Sequence, residues 1–150
     1  MADSIKVEMI KKLDLLHNTI DFINEVKSCP IYPIARDTVV YPLVVILFEC
    51  ENIEARNLSE VNEYTLTISL WLDIKNFNEQ ELLYTGLNYE EELHETFIHS
   101  LGTGGILHGL IEKYKRLPSF EKIIDESLGL FVNRYQLTVL HKYGKPFQKN

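Results

Sequence analysis

The sequence predicts an α+β fold, in which a small, mainly antiparallel sheet is covered on one face by helices as a two-layer sandwich. The strongest observation is an unbroken alternation between residues 64 and 74, where Leu66, Ile68, Leu70 and Leu72 share one parity. A period of two is the pattern of a strand buried on one face. Helical periods before and after it supply the covering layer. At 150 residues, the chain has the size of one domain with a single core.

The elements of the first half follow from these periods. Residues 4–27 predict a helix, because apolar residues recur at spacings of three and four, and Cys29-Pro30 ends it. Residues 39–48 are a near-continuous apolar run, which predicts a deeply buried strand beside the alternating one. Residues 49–63 are rich in Glu and Asn and predict an exposed hairpin loop between the two strands.

The second half is predicted to be helical before a last strand. A stripe at four-residue spacing predicts a helix up to the break at Gly102-Thr103-Gly104-Gly105. Two further helical pieces are predicted, one ending at Leu117-Pro118 and one running from Ser119 to Gly129. Residues 130–143 alternate as a last strand, and residues 144–150 predict a mobile basic tail on a single domain of residues 1–150.

Composition excludes several classes of protein. The net charge of -7 argues against a protein that grips nucleic acid through clustered Lys and Arg. No apolar run approaches the roughly 18 residues of a membrane helix, so no membrane contact is predicted. The first residues lack the basic and then apolar regions of an export signal, which predicts a cytoplasmic protein. Cys29 and Cys50 are expected to be reduced thiols.

One cluster has the residue types of a metal site. Glu91 and His94 have the Glu-x-x-His spacing of carboxylate-bridged metal pairs, but that chemistry takes two such motifs. Glu95 and His99 complete the cluster, yet His99 is turned about 140° around the helix from His94. A solvated acidic helix face is the favoured interpretation. No metal, cofactor or catalytic residue is therefore predicted.

The order of sequence features gives the functional hypothesis. Ile31-Tyr32-Pro33 follows the first helix, Tyr-Pro-Leu-Val-Val-Ile occupies residues 41–46, and Trp-Leu-Asp-Ile-Lys at residues 71–75 closes the alternating strand. Followed by a helix and a final strand, this order resembles the tail terminator, or tail completion, proteins of long-tailed bacteriophages over about residues 5–143. The chain departs from that family's usual pattern in residues 107–128, where two helical pieces are predicted.

The resemblance implies a structural protein of the virion and not an enzyme. Such proteins assemble as a ring, usually a hexamer, at the head-proximal end of the tail. The ring stops polymerisation of the tail tube and joins the tail to the head connector, and DNA only passes through it. The implied partners are further copies of the chain, the tail tube protein and the head–tail connector protein, with assembly in the host cytoplasm.

A ring needs self-complementary surface, and aromatic residues outside the core stripe are candidates for it. The subunit-interface candidates are Trp71, Phe77 and Tyr84. The alternative for Trp71 is cover by another helix of the same chain. The polar loop and the basic tail are expected to contact axial neighbours, and the candidates are Glu51, Glu54, Glu60, Lys145, Phe147 and Lys149.

Charge adds an expectation about the channel, and two other functions stay open. An inner wall that lets DNA slide should be acidic or neutral, and the candidate sets are the loop residues Glu51, Glu54, Glu60 and Glu63 or the helix residues Glu90, Glu91 and Glu92. The alternative is that both sets are solvated outer surface. The alternative functions are another neck or head-closure ring of the same particle, and a small cytoplasmic enzyme or ligand-binding module that uses the His94 helix.

Overall fold

The computed structural model describes residues 3–28, 30, 34, 38–56, 59–73, 75, 77–125 and 128–142. Its elements are α1 (Ile5–Asn18), β1 (Glu25–Ser28), β2 (Leu43–Arg56), β3 (Ser59–Asp73), α2 (Glu79–Leu101), β4 (Lys113–Asp125) and β5 (Leu128–Lys142). The two helices pack on one mostly antiparallel sheet, which confirms the predicted α+β class.

The five strands form one open sheet in the order β1-β2-β3-β5-β4. β1 runs parallel to β2, and the other three pairings are antiparallel. The predicted alternating strand is β3, which lies at the centre and pairs with β5 along its whole length, from Ser59 opposite Lys142 to Asp73 opposite Leu128. The predicted pairing of the first two strands is also confirmed, since β2 and β3 form a hairpin.

Both helices cover the same face of the sheet. Met9 and Leu13 of α1 and Phe97 of α2 are fully buried in one cluster with Ile68 and Tyr135 from the sheet. α1 begins where the Ser4 side chain accepts a hydrogen bond from the Val7 backbone N–H, an N-cap that satisfies one of the free amides of the first turn. The apolar parity of β3 therefore faces the helices, as its alternation predicts.

The predicted first helix, residues 4–27, is too long. α1 ends at Asn18, and β1 follows after a turn. The side chains of Asn18 and Thr19 donate hydrogen bonds to the carbonyl oxygens of Asp14 and Leu16. These two carbonyl groups of the last turn therefore have hydrogen-bond donors although the helix does not continue. Ile20 and Ile23 still pack against the core, so their apolar periodicity reflects burial in a turn and not helix.

The predicted loop at residues 49–63 is also wrong, because both strands continue through it. β2 and β3 stay paired up to Arg56 opposite Ser59, with a register shift between Cys50 and Asn52. Among the described residues, the main core cluster takes no residue from this stretch. We call residues 49–63 the arm. Backbone pairing needs no apolar side chains, so a polar composition is compatible with a strand that extends past the core.

The largest correction concerns residues 106–128, where two helices were predicted. A series of turns follows Gly102, and residues 113–125 form β4 at the edge of the sheet. Leu107 and Leu110 are buried in the turns, which explains their apolar spacing. Pro118 lies at a register shift between Leu117 and Phe120, a position that an edge strand tolerates because proline has no N–H to donate. The last strand, predicted at 130–143, is β5.

We call the face of the sheet that the helices do not cover the second face. It carries the alternate residues of each strand, those that do not face the helices. At one end of this face Leu43, Val45 and Val132 are buried. At the other end the strand register sets out rows that cross the sheet. One row contains Glu49, Thr65, Gln136 and Lys115, and the next contains Leu47, Thr67, Arg134 and Leu117. These rows place acidic groups near one edge and basic groups near the other.

Candidate functional surfaces

The acidic cluster on α2 is drawn into a polar network with the sheet. Arg116 of β4 donates hydrogen bonds from Nη2 to Glu91 Oε1 at 2.9 Å and to Asn133 Oδ1 at 3.1 Å. The amide of Asn133, which is buried, donates to the carbonyl oxygen of Glu90 at 2.9 Å. The hydrogen bond from Arg116 is the main reason that the pKa of the Glu91 carboxyl lies below its usual value. These bonds tie the middle of α2 to β4 and β5.

His94 belongs to the same network through the core tyrosine of β5. Its Nδ1 atom lies 2.7 Å from the hydroxyl of Tyr135, and the two rings are parallel. Burial, followed by the positive charge of Arg116, lowers the pKa of His94, while Glu91 opposes the shift. Burial raises the pKa of Tyr135, so the phenol keeps its proton. These shifts favour a neutral His94 whose Nδ1 accepts a hydrogen bond from the protonated Tyr135 hydroxyl.

A shallow groove of about 580 Å³ runs beside this network. Its described lining comes from one side of α2 and includes Glu91, His94, Glu95 and His99. No group of three or more His, Cys, Asp or Glu side chains with the geometry of a metal site occurs in the part of the chain that the structure describes. Glu91 and His94 are held by Arg116 and Tyr135, so the two residues of the predicted Glu-x-x-His motif already have protein partners.

The three aromatic candidates for an interface lie in different places. Tyr84 is exposed on the outer side of α2, where its hydroxyl accepts a hydrogen bond from Gln80. Phe77 is partly buried and packs against the core cluster. Trp71 is partly buried on the second face, between Leu43 and Leu130, so the sheet separates it from Tyr84. The structure does not bring the three together in one patch.

An apolar stripe on α2 was missed by the sequence analysis. Leu83, Tyr84 and Leu87 are all exposed, and their spacing places them on one side of the helix. Leu82, Leu93 and Phe97 of the same helix are buried. The sequence did contain a signal for this stripe. Leu83 and Leu87 are four residues apart, which is a helical spacing, and neither belongs to the stripe that faces the core. Exposed apolar residues grouped in this way are typical of interaction surfaces.

The remaining candidates are placed only in part. Glu51 and Glu54 lie in β2 and Glu60 lies in β3, so they belong to the paired arm and not to a loop. Lys145, Phe147 and Lys149 lie outside the described residues, as does Cys29. Glu90, a candidate for the channel wall, is 4% exposed and faces the sheet, which removes it from that set.

Comparisons with known proteins add no relative. A scan of the sequence against protein-family models finds no match, and a search of curated proteins finds no significantly similar sequence. Among the described residues, neither helix combines the length and the apolar character that crossing a membrane requires.

Proposed function

We propose that this chain is a structural subunit of a phage tail, which forms a ring, most simply a hexamer, at the head-proximal end. The ring stops polymerisation of the tail tube and joins the tail to the head connector. The proposal rests on the order of elements described above and on one structural observation, the open sheet. Its subunits would assemble in the host cytoplasm and remain in the virion.

The open sheet supports side-by-side assembly. β4 forms one edge, and in the strands that the structure describes it pairs only with β5. At the opposite edge β1 pairs with Leu43–Ile46 of β2, and no other strand that the structure describes pairs with that side of β2, so the rest of β2 forms a second edge among the described strands. Edge strands present unpaired backbone N–H and C=O groups, which another chain can pair. Two different edges on one subunit suit head-to-tail contacts, and such contacts give a ring when they close.

Axial contacts are assigned to the end of the arm and to the basic tail. The described part of the arm contributes no residue to the main core cluster, although Val61 and Asn62 are buried, so its end is the part that we assign to a neighbouring ring. Deleting residues 145–150 should leave folding intact and weaken attachment to the tube or the connector. Normal tail length and normal head joining in a phage with this deletion would contradict the role of the tail.

Mass photometry of the purified protein, together with electron microscopy of assembled tails, tests the ring. We expect closed rings at the head-proximal end of the tail. A strictly monomeric protein in solution that is also absent from tails would overturn the proposal. Rings found elsewhere in the neck would instead support the alternative of another head-closure component.

A ligand-binding role is the second candidate, and the groove beside His94 is the observation that favours it. The groove has an imidazole with a lowered pKa and four acidic or basic neighbours on one helix. If this role were correct, small-molecule screening by NMR would produce shifts centred on His94 and Glu95. An unchanged assembly phenotype in a phage carrying His94→Ala would favour the structural role.

A further inference from the structure

We propose that neighbouring copies join by pairing β4 of one copy with the uncovered edge of β2 in the next, at residues 47–52. The inference rests on the proposed ring and names the surfaces that build it. The partner is a second copy of this chain. Three features of the described residues support the pairing: edge length, charge and the apolar residues of the same rows.

The two free edges match in position along the sheet. The described pairing of β1 ends where Ser28 lies opposite Ile46, so the edge of β2 that no described strand covers begins at Leu47. Through β3 and β5, residues 113–117 of β4 share rows with residues 47–52 of β2. After Leu117 β4 changes register and stays paired with β5 from Phe120 to Asp125, so its pairing with the next copy ends at Leu117, next to the end of β1. Residues 113–117 of β4, which lie before its register shift, therefore face residues 47–52 of β2, a stretch that contains the register shift between Cys50 and Asn52. β4 runs antiparallel to β2, as this pairing needs.

The two halves of the sheet carry opposite net charges. Residues 43–73 carry six acidic residues and one arginine, a net charge of -5, whereas residues 113–142 carry six basic and three acidic residues, a net charge of +3. Glu49 and Lys115 are exposed in the same row at opposite edges. Neither forms a salt bridge in the described part of the chain. If the next copy is displaced sideways by the width of one sheet, Glu49 of one copy lies beside Lys115 of its neighbour.

The next row carries apolar groups in the same arrangement. Leu47 is 39% exposed at the β2 edge, and Leu117 is half-buried at the β4 edge. The same sideways displacement of the neighbouring copy packs Leu47 against its Leu117 and removes both side chains from water. The pairing thus combines backbone hydrogen bonds, one ion pair and one apolar contact for each interface. Because the two edges differ, each copy uses both, which is the head-to-tail arrangement that a ring requires.

A charge-swap experiment tests the pairing directly. We compare the wild type with Lys115→Glu, Glu49→Lys and the double variant Glu49→Lys/Lys115→Glu by mass photometry and sedimentation velocity at about 0.1 M salt. Each single variant places like charges across every interface, so the concentration for half-assembly should rise about tenfold or more. An equimolar mixture of the two single variants restores opposite charges in an alternating ring, and the double variant restores them within one chain. Both should assemble at nearly the wild-type concentration.

The matched control is Asp21→Lys, which makes the same charge change as Glu49→Lys at an exposed position outside both strands. It should assemble like the wild type. Circular dichroism checks that every variant is folded, and recovery in the mixture also excludes a folding defect as the cause of lost assembly. If the single variants assemble normally, or if the mixture stays dissociated, the β2–β4 pairing is wrong while the ring proposal stands. A wild type that never assembles, alone or in tails, overturns both.

Discussion

His17 offers the most direct test of the packing described above. The residue is fully buried at the end of α1, where Nδ1 lies 2.7 Å from the Leu13 carbonyl oxygen. Because a carbonyl can only accept, Nδ1 carries the proton, and Nε2 has no hydrogen-bond partner among the residues that the structure describes. Burial lowers the pKa of His17 from 6.5, and the weaker effects of the Leu13 hydrogen bond and the Asp14 charge oppose the shift. The folded protein therefore holds His17 neutral.

The sign of the pH dependence follows from proton binding in the two states. Below about pH 6.5 the unfolded chain protonates His17 and the folded chain does not, so acid favours unfolding. The stabilising contribution of neutral His17 is complete above pH 6.5 and is lost as the pH falls toward the folded pKa. The limiting slope for one such group is about 1.4 kcal/mol per pH unit.

His17→Leu should remove this slope. Near pH 7.5 its free energy of unfolding should lie within about 1 kcal/mol of the wild type, because replacing a buried, partly unsatisfied group by an apolar one of similar size is nearly neutral. At pH 5.5 the variant should gain about 1 kcal/mol relative to the wild type. Urea unfolding between pH 5 and 8 measures both values, and His108→Leu, at an exposed position, is the control. Parallel pH profiles for His17→Leu and the wild type would refute the reasoning.

Three further outcomes are expected. Gly86→Ala should destabilise the fold by about 1–2 kcal/mol in thermal unfolding, because its Cβ would overlap the Phe131 ring at a cost that exceeds the gain in helix propensity; adding Phe131→Leu should recover part of the loss. Arg116→Gln should raise the pKa of His94 in an NMR titration, since it removes a positive charge and frees the carboxylate of Glu91; an unchanged or lower pKa would contradict the network. Filter binding to duplex DNA at about 0.1 M salt should detect no micromolar affinity, as the charge of -7 requires.

The sequence predicted the fold best for the helices and strands that are buried on one side only. The alternation of β3 and the four-residue stripe of α2 each match a face that packs on the core, so both elements were predicted, although β3 begins at Ser59, five residues before the alternation. The arm was missed because its strands are held by backbone pairing, which leaves no apolar pattern. The start of β4 was predicted as helix because Leu107 and Leu110, buried in the preceding turns, have helical spacing, and the rest because Ser119 and Gly129 suit the two ends of a short helix. Local periodicity shows which residues are buried. It identifies a helix or a strand correctly only where the spacing of the buried residues comes from that helix or strand.

The candidate surfaces were predicted less well than the fold. The sequence placed Glu91 and His94 on one helix face, but their partners Arg116 and Tyr135 come from strands distant in the chain. The rows that join Glu49 to Lys115 depend on strand order, which no local pattern encodes. Tyr84 was identified from its lack of a core position, and it is exposed as that argument requires.

The insertion of β5 between β3 and β4 determines when the sheet can be completed during synthesis. β3 gains its second neighbour only after a further 54 residues separate Asp73 from Leu128, and β4 has no place in the sheet until β5 follows it. Until then a nascent chain presents one side of its central strand as an unpaired template for other chains. Pairings so distant in sequence also slow folding, because loop-closure entropy must be overcome first. Truncation within β5 should therefore yield insoluble protein, while the same chain carried to Lys142 folds.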